Sequence, residues 1–233
     1  MKQIEGGITA AKGFQAAGVE AAIKYQNRKD MALVYSTVPC VAAGTFTVNV
    51  VKAAPVIWDR KIVEESPYAQ AVVVNSGIAN ACTGKQGMGC CRAEAEWAGE
   101  LLGIPGDAVL VASTGVIGMQ LPLDRLKEGI RKLTETKAEG PEAGADAAKA
   151  IMTTDTVPKQ IAVEFELGGK KVTLGGMCKG SGMIHPNMCT MLGFLATDAC
   201  ISKEMLQKAL RADVEDSFNM ISVDGDTSTN DTL

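Results

Sequence analysis

The chain has 233 residues, 46% hydrophobic and 21% charged, the balance of a globular protein large enough to bury a core without disulfides. A formal net charge of −4, with no run of Lys or Arg, excludes nucleic acid as an expected partner, because phosphate binding needs clustered cations. The first residues (MKQIEGGITAAKGF) lack the apolar stretch of a secretory signal, and no segment approaches the roughly 18 apolar residues of a membrane span, so a cytoplasmic protein without a membrane partner is expected.

In chain order, Ala32–Tyr35 and Thr45–Val48 read as short strands. The apolar run Ala71–Val74 ends at Asn75-Ser76-Gly77 and reads as a buried strand feeding a loop; Ala108–Val111, ending at Ser113-Thr114-Gly115, repeats the pattern. Between them, Arg92–Leu102 carries Ala95, Ala98, Leu101 and Leu102 at helical spacing, with Gly103 as a stop. Leu126, Ile130 and Leu133 form a second helical stripe, with Asp124 as the expected N-cap. The alanine-rich Glu142–Met152 should be helical. Ile161–Leu167 and Lys171–Leu174, joined by Gly168-Gly169, predict a hairpin, and Glu204–Val214 predicts a last helix. Hairpins, apolar strands and helices in this irregular order point to an α/β or α+β layered sandwich.

Four segments rich in glycine and side-chain hydroxyls interrupt the elements: Asn75–Gly84, Ser113–Gly118, Lys179–Leu192 and Asp224–Thr232. Any one alone reads as an ordinary turn. Two follow apolar strands, where backbone N–H groups can face small molecules or developing anions. Rival chemistries find little material. His185, the only histidine, precedes Pro186 and would have to serve any Ser-His or Cys-His arrangement. Asp224 and Asp226 are not followed by an EF-hand pattern, no metal site is expected, and neither GxxxxGK[ST] nor a strand-linked GxGxxG occurs. The seven cysteines (Cys40, Cys82, Cys90, Cys91, Cys178, Cys189, Cys200) contain no CxxC pair and suit a reduced state. What remains is a hydroxyl nucleophile without a histidine base. An N-terminal threonine solves that problem, because its own α-amine, with a pKa near 8, serves as base. Thr190 is placed for this only if the chain is cut before it.

The four segments, with Gly6–Ala10 and Ala53-Ala54-Pro55, resemble in order and spacing the bifunctional ornithine acetyltransferase family of arginine biosynthesis, the glutamate N-acetyltransferases. The resemblance covers essentially the whole chain and implies a layered α+β sandwich of the self-cleaving ornithine acetyltransferase and DmpA-like type. It implies cleavage between Cys189 and Thr190, with 1–189 as an α-chain region and 190–233 as the start of a β-chain. It implies attack of Thr190 on the acetyl group of N-acetylornithine, an acetyl-threonine intermediate, and transfer to glutamate, with acetyl-CoA a candidate second donor and no cofactor. Thr114 and Gly115 fall on the family's oxyanion pair. Thr156, ahead of Thr154, and Lys179 fall on its substrate-binding positions, where the lysine could pair with an amino-acid carboxylate. A homo-oligomer of αβ units is expected. Cys189 stands where the pattern has alanine and Ile78 where it has asparagine. Family members continue beyond Leu233 and draw further substrate-binding residues from there, so a fragment with exposed core surface, inactive by itself, is also an expectation. A self-cleaving amidase or aminopeptidase of the same architecture, or a ligand-binding domain, are the alternative readings.

Overall fold

Alternation along the strands sorts the chain into layers. In the computed structural model, which describes residues 1–184 and 191–233, the strands are β1 (Lys2–Ile4), β2 (Phe14–Val19), β3 (Met31–Cys40), β4 (Ala69–Ile78), β5 (Val109–Val116), β6 (Lys159–Leu167), β7 (Lys170–Lys179) and β8 (Leu192–Thr197). The helices are α1 (Ala54–Glu65), α2 (Gly84–Leu102), α3 (Leu123–Thr136), α4 (Pro141–Ala150) and α5 (Lys203–Glu215). One sheet has the order β2-β3-β4-β5 and the other β1-β6-β7-β8.

Successive side chains of a strand face opposite sides. In the first sheet Met31, Leu33, Val73, Val109 and Val111 face one way and pack with Cys91, Ala95 and Ala98 of α2 and Leu126, Ile130 and Leu133 of α3. Ala32, Val34, Val74 and Ala112 face the other way, onto Ala147, Ala148 and Ala150 of α4 and Met177, Leu192 and Ala196 of the second sheet. The result is a layered α+β sandwich: helices, sheet, then α4 with the second sheet.

Most predicted elements form. β3, α4, α5 and the β6–β7 hairpin lie where the apolar patterns put them, and Gly168 and Gly169, at φ 59° and 75°, supply the two left-handed positions of a tight hairpin turn. Other expectations are corrected. Thr45–Val48 joins neither sheet; it runs extended against the last residues, with Thr45 N donating to Leu233 O (2.8 Å) and Thr47 N to Asp231 O (2.9 Å). Asp124 lies in the first turn of α3 and Pro122 occupies the cap, so the aspartate can act on the helix dipole but caps nothing. Asn75–Ile78 and Ser113–Val116 are not loops; β4 and β5 continue through them as a parallel pair in which Ser76 lies opposite Thr114 and Gly77 opposite Gly115. The crossover α2 makes that parallel pairing feasible.

One buried pair of acids sits apart from this strand end. Asp59 on α1 accepts from Val111 N (2.8 Å), while Glu94 on α2 is buried with both carboxyl oxygens lacking a hydrogen-bond partner. Burial first, and Asp59 second, push the Glu94 carboxyl up to about 8 from its ordinary 4.5. The folded chain therefore holds a proton that the unfolded chain has released between those two values. Stability that is full below the lower value is lost as pH rises toward the upper. Glu94→Gln removes that proton, so its unfolding free energy, measured in urea from about pH 5 to about pH 8, should fall less steeply by about 1.4 kcal/mol per pH unit. Identical pH profiles for the two proteins would contradict the buried-acid assignment.

Candidate active site

The parallel register of β4 and β5 delivers the first site residues. Thr114 and Gly115 lie on β5 beside Ser76 and Gly77, and Gly115, at φ +135°, sits so close to its neighbour that an added Cβ would fall 2.2 Å from the Gly77 carbonyl carbon. Thr114 is buried. From the second sheet, Lys179, the last residue of β7, reaches the same place, and its Nζ donates to Thr114 Oγ1 at 3.3 Å. Lys179 is only 3% exposed, so it is not a solvated surface lysine. An ammonium can only donate. With Lys179 as donor, the Thr114 hydroxyl keeps its own proton free to donate elsewhere.

Burying a lysine is costly unless charge and hydrogen bonds compensate. Burial lowers the Lys179 pKa, with Lys159 acting in the same direction, and Asp155 and Asp231 oppose the change. Asp155 follows α4 in the Thr153–Thr156 turn and is itself tightly held. Burial works to raise its carboxyl, but Lys159 Nζ (2.6 Å), Gly180 N (2.8 Å) and Thr153 N (3.3 Å) all donate to it and keep it below the usual range. Thr154 Oγ1 pairs with Ser181 Oγ at 2.6 Å, so the turn is tied to the strand end at a second point. Thr156 is exposed and outside this buried cluster.

Asp231 approaches from the polar stretch near the end of the chain. Its Oδ1 accepts from Met191 N at 3.1 Å, and burial pushes the carboxyl up to about 8 against the pull of Met191 N–H, Ser228 and Lys179. Next to it, Asn230 Nδ2 donates to Ala79 O (2.6 Å) and Ser113 O (2.8 Å), locking this stretch onto the exits of β4 and β5. Thr114, Gly115 and Lys179 are thus brought together. Thr190, Cys189 and His185 lie outside the described residues, and Met191, the next residue after Thr190, is fixed at the edge of the cluster. Sequence reasoning missed Asp155, Asn230 and Asp231. Asn230 and Asp231 stood in a segment already singled out and Asp155 between Thr154 and Thr156, but an aspartate or asparagine among threonines reads as a turn residue.

A large groove lies elsewhere. About 810 Å³ in volume and mostly apolar, it is lined by Val38, Val41, Phe46, Phe194, Leu206 and Leu233 among others, and by none of Thr114, Gly115 or Lys179. Among the described residues, no helix is long and apolar enough to cross a membrane.

Fold and site together define a layered α+β protein with a buried lysine–threonine pair at the end of a parallel strand pair. The comparisons with known proteins narrow this to a family: the sequence model of the ArgJ family matches residues 15–233, and the chain belongs to that family. The arginine biosynthesis bifunctional protein ArgJ of Symbiobacterium thermophilum is 57% identical over 233 residues, covering 99% of this chain, and the chain spans 57% of that relative's length. Among solved structures, ArgJ from Bacillus halodurans is 41% identical with a TM-score of 0.75, covering 82% of this chain and 98% of its own. The ornithine acetyltransferase of Mycobacterium tuberculosis, solved as a complex with ornithine, is 39% identical with a TM-score of 0.73, covering 84% of this chain and 99% of its own.

Gly115→Ala puts a methyl group against the Gly77 backbone in a left-handed conformation, and the strand pair has to part to admit it. The variant should lose about 3 kcal/mol or more of stability in urea unfolding. Wild-type stability would mean that the two strand ends are not in this contact.

Proposed function

We propose that the protein is an amino-acid acyltransferase that moves an acetyl group from N-acetylornithine to glutamate through Thr190, after the chain is cut between Cys189 and Thr190. The observation that carries the reading is the Lys179–Thr114 hydrogen bond, buried beside Asp231, which holds the amide of the residue that follows Thr190. Family membership supports it, as do the names of relatives that act in arginine biosynthesis and the ornithine bound to one of them.

In this reading the freed α-amine of Thr190 takes the proton of its own hydroxyl as the oxygen attacks the acetyl carbonyl carbon of N-acetylornithine. The carbonyl oxygen gains negative charge, and the Thr114 O–H and the Gly115 N–H donate to it. The C–N bond then breaks, the proton passes to the departing amine, and ornithine leaves an acetyl ester on Thr190. Glutamate's α-amine attacks that ester, giving N-acetylglutamate and the original hydroxyl. Lys179 keeps Thr114 in its donating orientation with one N–H, and its remaining donors suit a substrate carboxylate. Thr156, on the exposed side of the Asp155 turn, is the proposed further substrate contact. No cofactor takes part, and acetyl-CoA is a candidate alternative donor. The active form is a pair of chains from one precursor, in a homo-oligomer.

The full-length protein tests this. Thr190→Ala should run as a single uncut chain on a denaturing gel and show no transfer. Thr114→Val should be cut and folded normally if its hydroxyl serves only the transfer step, and should lower kcat by about 10²- to 10³-fold. An uncut wild type with full transfer activity, or undiminished transfer in Thr190→Ala, would refute the reading. Hydrolysis of N-acetylornithine without transfer to glutamate would place the protein among amidases instead.

A further inference from the structure

The polar stretch 224–232 does more than line the lysine cluster. On one side of residues 185–190, Asp224 accepts from two successive amides: Met183 N to Oδ2 and Ile184 N to Oδ1, both at 2.6 Å. These two N–H groups hold its carboxyl below the usual range, so it stays charged at neutral pH. Val223 N adds a main-chain bond to Ile184 O at 2.9 Å. On the other side, Asp231 Oδ1 accepts from Met191 N, and Thr232 N donates to Met191 O at 3.1 Å. The stretch that supplies both aspartates is itself fastened, by Asn230 to Ala79 O and Ser113 O and by Thr47 Oγ1 donating to Ser228 O at 2.6 Å. Ser113 immediately precedes Thr114. A short piece of chain thus grips the backbone on both sides of the proposed cut and ties one grip to the strand that carries the expected oxyanion donors.

We infer that Asp224 and Asp231 are positioning residues for scission of the Cys189–Thr190 bond, holding the chain at Met183–Ile184 and at Met191. The inference rests on the reading that this bond is cut. In that scission the Thr190 oxygen bonds to the Cys189 carbonyl carbon, the C–N bond breaks, and the hydroxyl proton goes to the departing nitrogen. Water then hydrolyses the resulting ester, leaving a carboxylate on Cys189 and a free amine on Thr190. The attack is intramolecular and its rate depends on alignment, which fixed anchors on either side supply.

The two anchors differ in kind. Asp224 is a solvent-facing carboxylate. Asp231 is buried, faces the Lys179 ammonium with Asp155 and Lys159 beyond it, and with its carboxyl near 8 carries a proton at neutral pH. A protonated aspartic acid and an asparagine offer Met191 N the same accepting carbonyl. Asp231→Asn should therefore work where Asp231→Ala does not.

The experiment follows the cut in full-length protein made by cell-free synthesis, sampled over time on denaturing gels. Asp231→Ala and Asp224→Ala should each slow the cut by about tenfold or more, the loss of one or two hydrogen bonds at the transition state. Asp231→Asn should cut within about threefold of wild type, because the accepting carbonyl is retained. Thr47→Val removes only the side-chain bond to Ser228 O, keeping the Thr47 N–H to Asp231 O and both anchoring carboxyl groups, and should cut like wild type, which separates positioning from general loss of structure. An alanine variant that cuts at the wild-type rate, Asp231→Asn as slow as Asp231→Ala, or an equally slow Thr47→Val would each overturn the inference. A wild type that never cuts would instead remove the functional reading on which it rests.

Discussion

A buried lysine organises the site. Taking the Lys179 ammonium out of water costs several kcal/mol unless the surroundings repay it, and separate parts of the chain converge to do so. β5 contributes the Thr114 oxygen, the turn after α4 contributes Asp155, and the 228–232 stretch contributes Asp231. Each partner is itself anchored: Asp155 by Lys159 and two backbone amides, Asp231 by Met191 N. Removing Asp155 would take away the charge that most strongly opposes the burial of Lys179. The cluster therefore ties the two sheets together, and the lysine's donation leaves the Thr114 hydroxyl proton free for another acceptor.

The two glycines opposite one another on β4 and β5 are the backbone counterpart of that constraint. Gly77 and Gly115 both have positive φ, and their close approach brings the end of each strand into the site without a side chain intervening. Asn230 spans the same pair of strand exits through Ala79 O and Ser113 O. Side-chain charge and backbone geometry thus meet at one edge of the sandwich, while the large apolar groove lies apart from it.

Local pattern revealed those parts of the fold that local pattern determines. Ala71–Val74 and Ala108–Val111 announced buried strands, Leu126, Ile130 and Leu133 announced α3, and Gly168-Gly169 announced the hairpin. β1, β2, β8 and α1 escaped notice; for β1, as for the true role of Thr45–Val48, the pairing partner lies far along the chain: β1 pairs with β6, and Thr45 with Leu233. Nothing in the few residues of such a segment encodes its partner. The site divides in the same way. Thr114, Gly115 and Lys179 were reached through motif resemblance, whereas Asp155, Asn230 and Asp231 owe their importance to burial, and burial of a polar residue is set by tertiary packing. The sequence also suggested that Asn75 and Ser113 begin loops. Both instead extend the parallel pair, since α2 and α3 cover the sheet and the ladder can run on to the site.

The central claim is that the hydroxyl at position 190 carries the acetyl group while the amine at the same position is free. Full-length protein incubated with N-acetylornithine in the absence of glutamate, quenched in acid and mapped by mass spectrometry, addresses it directly. The account predicts an acetyl group on a peptide whose first residue is Thr190. An acetyl group found on another residue, or ornithine released while position 190 is still joined to Cys189, would contradict it.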